Sequence, residues 1–230
     1  PGGTAAPDEV VDGRVARSCP PDGVRLQDGT ILLAYRNLGT EDEVDIAIAR
    51  REPTGIWRAP SVVHADGWRF NGPLVNGPAV AAEGDLVAVA WYVQLSEGQP
   101  AVRVAFSRDA GLSFGAPRTL FEGRTRGQVE LASVGDGLFA LTHEAPPADG
   151  SDPGQLGAWQ LVVVAPETLP TEPIRVGALL GRSSGRLDLV EGPPGVAFAA
   201  WTGPTGLEAA RITVEREEDE APVPSVESSR

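Results

Sequence analysis

Lysine and methionine are absent from this sequence, cysteine occurs once, at Cys19, and aromatic residues make up only 6% of the chain. A single cysteine excludes an internal disulfide and a clustered thiolate metal site, and it leaves the redox compartment open. The two histidines, His64 and His143, stand far apart and make no metal-ligand spacing, so neither a metal nor a cofactor is expected. There is no G-x-S-x-G nucleophile elbow and no phosphate-binding glycine loop. Positive charge is scarce as well: 19 arginines stand against 32 acidic residues, for a net charge of −13. A field of that sign repels nucleic acid and anionic membrane surfaces, so neither is an expected partner. No apolar run reaches the roughly 18 residues of a membrane span, and no leader with a charged start and an apolar middle is present, so no membrane insertion is expected. Without an initiator methionine the chain is expected to be a processed product or a fragment, and a removed signal stays open.

What the sequence has in abundance is glycine, 28 residues, and proline, 21. Punctuation at that density leaves little room for long helices and points to an all-β chain. With 230 residues, 41% of them hydrophobic, the chain can bury a sizeable core as one domain or two small ones. An internal repeat decides the architecture. DGTILLAYR, GDLVAVAWY, GDGLFALTH and GPPGVAFAAWT each run from a turn glycine into an apolar strand, and Tyr35, Trp91, Thr142 and Trp201 read as one equivalent slot. A short strand precedes each (GVRL, GPAVA, VELAS, RLDLV) and another follows (VDIAIAR, AVRVAFS, AWQLVVVA, LEAARITV). A fourth, APSVVH or APRTLF, closes the first two units, and EPIRVG does the same for the third. Four antiparallel strands recurring every ~50 residues predict β-propeller blades, with strands A to D running from the inside out.

The blades are expected at about 18–67, 68–123, 124–177 and 178–214, after an N-terminal segment 1–17 that could supply a ring-closing strand. The tail, 215–230, turns abruptly to acidic, Pro and Ser residues and reads as disordered. A sandwich of many short strands is the competing fold, but it does not account for a repeating four-strand unit.

SRDAGLSF, residues 107–114, falls between strands C and D of the second unit and reads as a hairpin turn. Asp109 can accept backbone amides of its own loop, Ser107 and Ser113 can brace it, Gly111 can take a positive φ, and Phe114 can fold back onto the blade. The stretch also resembles the Asp-box, S-x-D-x-G-x-[ST]-[WF], of sialidase-like (BNR-repeat) propellers. REPTGIWRAP in the first unit is similar to a decayed version of it, with Trp57 aligned to Phe114. Together with AYRNLGTEDEVDIAIARR, VHADGWRFNGPLVNGPAVAA and VAVAWY, these residues resemble a bacterial group of sialidase-like or exo-α-sialidase family proteins over most of residues 18–214. The resemblance implies a six-bladed ring of which about four blades are present here. It also implies a glycoside hydrolase of exo-α-sialidase type, a carbohydrate or other small polar ligand, and a secreted or periplasmic location. A non-catalytic carbohydrate- or protein-binding scaffold is the alternative, since a structural turn does not carry activity.

Because strands alternate in direction, the A–B and C–D turns share one face of the disc, while the B–C and D–A loops share the other. The second-face loops, 36–44, 92–101 and 143–157 together with 64–78, 122–128 and 178–186, are the longer set and carry polar and aromatic residues suited to a ligand. Candidate ligand-binding residues there are Arg36, Asp45, Trp68, Arg69, Asn71, Asn76, Arg126, His143 and Arg186. Sialidases hold a carboxylate with three arginines, attack with a tyrosine activated by a glutamate, and protonate with an aspartate. Guanidinium forks match carboxylates bidentately, and a phenol needs a base to attack.

Of the two tyrosines, Tyr35 occupies the packing slot, which leaves Tyr92 as nucleophile or as an ordinary rim aromatic. Glu144 beside His143 reads as an acid/base partner or as a solvated loop pair. Arg36 reads as a ligand contact or as an ion pair with Asp45 or Glu43. In HADGWRFNGPLVNGP the Asn and Gly residues serve equally as turn formers. The oligomeric state stays open.

Overall fold

The structure, a computed structural model, describes residues 10–16, 19–39, 43–69, 75–95, 98–147, 157–179, 186–215 and 222–228. Those residues form sixteen strands and no helix. They fall into four antiparallel sheets of four strands each, the blades of a β-propeller. Blade 1 holds β1 (Asp22–Arg25), β2 (Ile31–Leu38), β3 (Val44–Arg51) and β4 (Ser61–His64). Blade 2 holds β5 (Ala79–Glu83), β6 (Leu86–Gln94), β7 (Pro100–Ser107) and β8 (Arg118–Leu120). Blade 3 holds β9 (Gly127–Gly135), β10 (Leu138–Ala145), β11 (Ala158–Val164) and β12 (Ile174–Ala178). Blade 4 holds β13 (Asp188–Glu191), β14 (Val196–Gly203), β15 (Gly206–Glu215) and β16 (Val223–Ser228).

The inner strands β1, β5, β9 and β13 stand side by side in chain order, and three apolar layers glue the blades in series. Strand alternation builds each layer: one face of a blade carries small residues, and the next blade presents bulky ones to it. Ala34 of blade 1 lies in one layer with Val87, Val89 and Trp91 of blade 2. Ala88 and Ala90 of blade 2 share a layer with Phe139 and Leu141 of blade 3. Ala132 and Ala140 of blade 3 do so with Trp201 and Ile212 of blade 4. Trp91 is completely buried, a burial worth on the order of 4 kcal/mol gross by area. Among the described residues no apolar layer joins blade 4 back to blade 1.

Two sequence expectations change. The aromatic slot of blade 3 is held by His143 and not by Thr142. Counted from the hairpin pairs Glu83↔Leu86 and Gly135↔Leu138, Trp91 and His143 stand at the same distance along their strands. Thr142 points to the opposite side, along with Ala140. The C-terminal segment also differs from the disordered tail expected of 215–230, because Val223–Ser228 pairs antiparallel with β15 and completes blade 4. Pro224 is tolerated there because β16 is the outer edge strand, where a missing N–H breaks no further ladder.

Candidate functional site

The two faces of the disc differ in how their polar residues are used. On the turn face, Ser107 Oγ donates to Asp109 Oδ1 (2.7 Å) and accepts from Gly111 N (2.9 Å), while Ser113 donates to Asp109 through N (2.8 Å) and Oγ (2.5 Å). Gly111 has φ +81°, and a Cβ there would stand 2.8 Å from Leu32 of blade 1. Phe114 packs into the layer between blades 1 and 2. These donors hold the Asp109 carboxyl down at about 2, with the Ser113 and Ser107 hydroxyls the main cause. The polar groups of Ser107, Asp109 and Ser113 are thus all used within the turn.

On the opposite face, Arg36, Tyr92, His143 and Glu144 sit inside strands, not in loops as the sequence suggested, because β2, β6 and β10 run on to Leu38, Gln94 and Ala145. Strand alternation therefore decides which of them reaches solvent. Arg36 faces blade 2 and is fully buried. Its Nε donates to Asn76 O (2.9 Å), its NH2 donates to Tyr92 O (2.5 Å), and its guanidinium lies 5.1 Å from the Trp68 ring centre. It is a strut between blades 1 and 2 and makes no ion pair with Asp45 or Glu43.

Asp45 is buried and accepts from Asp66 N (3.2 Å); burial pushes its carboxyl up. Trp68 is buried and meets Tyr92 edge to face at 5.8 Å. Arg69 is exposed, 3.7 Å from Glu43. Asn71 lies outside the described residues. His143 is fully buried, stacked on Phe121 at 3.7 Å, with Nδ1 3.1 Å from Thr125 Oγ1. Desolvation drives its imidazole down to about 4, so it is a neutral core residue at pH 7 and not a ligand contact.

The residues that stay within reach of solvent gather near the inner strands. Asn76 donates through Nδ2 to Arg126 O (3.1 Å), and Arg126 NH1 stands 3.6 Å from Glu144 Oε1. Gly127, at φ +94°, has no room for a Cβ, which would collide with Asn76 Nδ2 at 2.2 Å and press on the Tyr92 ring at 3.1 Å. So Asn76, Tyr92, Arg126 and Glu144 meet at the joint of blades 2 and 3. Burial raises the Glu144 carboxyl. Tyr92 hydrogen-bonds no described carboxylate through its hydroxyl. Beyond this joint, Arg186 NH2 pairs with Glu130 Oε1 of inner strand β9 at 2.5 Å; the Glu130 side chain is 14% exposed and that of Arg186 46%.

Sequence reasoning passed over Glu130. The register makes it significant: Asp22↔Ala34, Ala79↔Ala90, Glu130↔Thr142 and Asp188↔Ala200 are the same slot in four successive blades. Three of the four slots carry a carboxylate, each near the second-face end of an inner strand. Asp22 uses its carboxylate to accept from Val80 N of the next blade (2.7 Å). Burial first, with Asp22 and Asp188 adding repulsion, lifts the Glu130 carboxyl to about 7 despite Arg186. An acid lifted to about 7 among further carboxyl groups is an arrangement suited to proton donation and acceptance near neutral pH. Sequence could not show it: counting back from the hairpin pair Gly135↔Leu138 lands on Leu131, and only the register shift between Leu138 and Phe139 puts Glu130 in the slot. Asp66 was missed as well: its buried carboxylate accepts from Trp91 Nε1 (2.7 Å), pairs with Arg103 and anchors the segment leading to Trp68. No group of His, Cys, Asp and Glu among the described residues is arranged to hold a metal ion.

No family model and no curated protein matches the sequence. Solved structures do share the fold. The chain is similar to Hadza microbial sialidase Hz136 (TM-score 0.54, 16% identity, covering 84% of this chain and 43% of that one). It is similar to a protein of unknown function from Dyadobacter fermentans DSM 18053 (TM-score 0.54, 13% identity, 90% and 68%). It is also similar to fructan 1-exohydrolase IIa from Cichorium intybus (TM-score 0.50, 11% identity, 86% and 42%). The chain thus spans less than half the length of the sialidase it matches. At these identities the likeness establishes the fold alone: an all-β chain of propeller blades.

Proposed function

We propose that the chain takes a carbohydrate, or another small polar ligand, at the inner-strand mouth on the face opposite turn 107–114, in the manner of a glycoside hydrolase. The observation that carries this reading is the slot shared by Asp22, Glu130 and Asp188, with Glu130 paired to Arg186 and raised to about 7. A carboxyl group protonated near neutral pH donates to a glycosidic oxygen, and an ionised neighbour activates water or attacks; two carboxyl groups in different protonation states are what glycoside hydrolysis requires. Arg186, already holding a carboxylate at the mouth and 46% exposed, presents further N–H donors to hydroxyl or carboxylate groups of a ligand. The fold likeness to a sialidase and a fructan exohydrolase supports the substrate class as an analogy.

A second, non-catalytic reading has one observation in its favour. Tyr92 and Glu144, the candidate nucleophile and the candidate acid/base residue, are engaged elsewhere, Tyr92 against Trp68 and Glu144 with Arg126. In that reading the same mouth binds a glycan without turnover.

Both readings are tested by titrating the protein calorimetrically with an α-sialyl-oligosaccharide and with an inulin-type fructan oligosaccharide, and by following hydrolysis of a fluorogenic α-sialoside. The expected result is binding of at least one of these sugars, weakened ~10-fold or more by Arg186→Ala and untouched by Arg108→Ala on the turn face. Turnover selects the hydrolase form of the reading. Failure of the folded protein to bind any of them overturns both.

A further inference from the structure

The side chains at the inner-strand mouth are weighted towards hydrogen-bond acceptors. Asp22, Glu130 and Asp188 share one slot on three inner strands, and Glu144 lies at the joint of blades 2 and 3. The two arginines placed among them are already engaged, Arg186 with Glu130 at 2.5 Å and Arg126 with Glu144 at 3.6 Å. Arg36 offers a ligand no charge: its NH1 lacks a partner, but the guanidinium is fully buried between blades 1 and 2, against the Trp68 ring.

Next to Glu130, the atoms whose hydrogen-bonding capacity is unspent are uncharged. Thr142 stands directly across from Glu130 in the register, so both side chains leave the sheet on the same side, and Thr142 Oγ1 is buried without a partner. Gln128 Oε1, two residues before Glu130 on β9, is likewise buried without a partner. Carboxylate and amide oxygens only accept, whereas a hydroxyl both donates and accepts.

Given the reading of the mouth as a sugar site, on which this rests, we propose that its ligand is an uncharged, hydroxyl-rich sugar and that acidic sugars are rejected. A sugar hydroxyl donates to the acceptors that dominate the mouth and accepts from Arg186 in return. A ligand carboxylate can only accept, so it competes with Glu130 for Arg186 and meets Asp22 and Asp188 as like charges. Glu130 itself feels that field: its carboxyl is lifted by burial first, and Asp22 and Asp188 add to the lift against the pull of Arg186. An acidic group entering the slot meets the same two neighbours, and Arg186 is already taken.

Calorimetric titration of the full chain at neutral pH and low salt with two matched pairs tests this. One pair is an inulin-type fructan oligosaccharide and the same oligosaccharide with a carboxylate in place of a primary alcohol; the other is the methyl ester of an α-sialyl-oligosaccharide and its free acid. In whichever pair binds, the neutral member should bind ~10-fold or more tightly. The acid should gain affinity as salt is raised, while the neutral sugar should not. Asp188→Asn removes one like charge and should narrow the ratio between the two members ~3-fold or more. A free acid that binds as tightly as its neutral counterpart, or more tightly, overturns the proposal and leaves the reading of the mouth as a sugar site in place. A ratio unmoved by Asp188→Asn removes its electrostatic cause and overturns it as well. Binding of none of these sugars by the folded protein overturns the sugar-site reading itself.

Discussion

Two acids, one on each face, carry the contrast within this molecule. Asp109 sits in an outer turn, where Ser107, Ser113 and its own loop amides satisfy it and hold it at about 2. Glu130 sits on inner strand β9, where burial and its neighbours Asp22 and Asp188 outweigh Arg186 and lift it to about 7. The first has spent its hydrogen-bonding capacity on the fold, and it is the more conspicuous in sequence. The second keeps a proton that it can give up near neutral pH. The residue that advertises itself in a motif is thus not the one for which we propose a chemical role.

The largest effect that would sharpen the contrast is on ligand affinity. Glu130→Gln keeps the shape and one hydrogen bond but removes the ionisation, and it should weaken sugar binding ~10-fold or more while leaving the fold intact. It should also flatten part of the pH profile of stability. The folded carboxyl titrates at about 7 and the unfolded one near 4.5, so the folded state holds the extra proton in between. The Glu130 contribution is therefore complete below about 4.5 and is lost as pH rises through about 7, and urea unfolding of the Gln variant across that range should lack this loss.

Asp109→Ala should do the reverse. It costs about 2 to 3 kcal/mol of stability through lost charge-assisted bonds and leaves affinity unchanged. In the wild type the Asp109 contribution is present above about 3.8 and disappears as pH falls through about 2. An affinity change in Asp109→Ala would break the contrast.

Gly111→Ala is next in size. It adds a Cβ at φ +81° against Leu32, and should cost about 1 to 2 kcal/mol in thermal or urea unfolding with no effect at the mouth.

The last effect shows only on the acid side and concerns His143, buried between blades 2 and 3 and pushed down to about 4. Its contribution is present above about 6.5 and lost as pH falls towards 4, because the unfolded chain takes up the proton first. His143→Phe, which keeps an aromatic ring on Phe121, should remove that acid-side loss when melting temperatures are compared at pH 4.5 and 7.

The blades were legible because a turn glycine followed by an alternating apolar strand recurs four times, and that pattern survives without any knowledge of contacts. The outer strand Val223–Ser228 was not, since its local composition is that of a polar tail and only pairing with β15 makes it a strand. Arg36 and His143 were read at the mouth because strand ends are poorly marked in sequence. Two further residues of strand, fixed by cross-strand bonds, turn both side chains into blade-to-blade layers. Glu130 was hidden for the opposite reason: nothing in VELAS distinguishes it until the observed strand register superimposes it on Asp22 and Asp188.

The most direct test of the assignment of the mouth as the ligand site is a calorimetric titration of wild type, Glu130→Gln and Asp109→Asn with whichever of the α-sialyl and fructan oligosaccharides the wild type binds. The account predicts affinity reduced ~10-fold or more in Glu130→Gln and unchanged in Asp109→Asn, with the melting temperature lowered only in the latter. Equal affinities in wild type and Glu130→Gln, with the loss appearing instead in Asp109→Asn, would contradict it and move the ligand to the turn face.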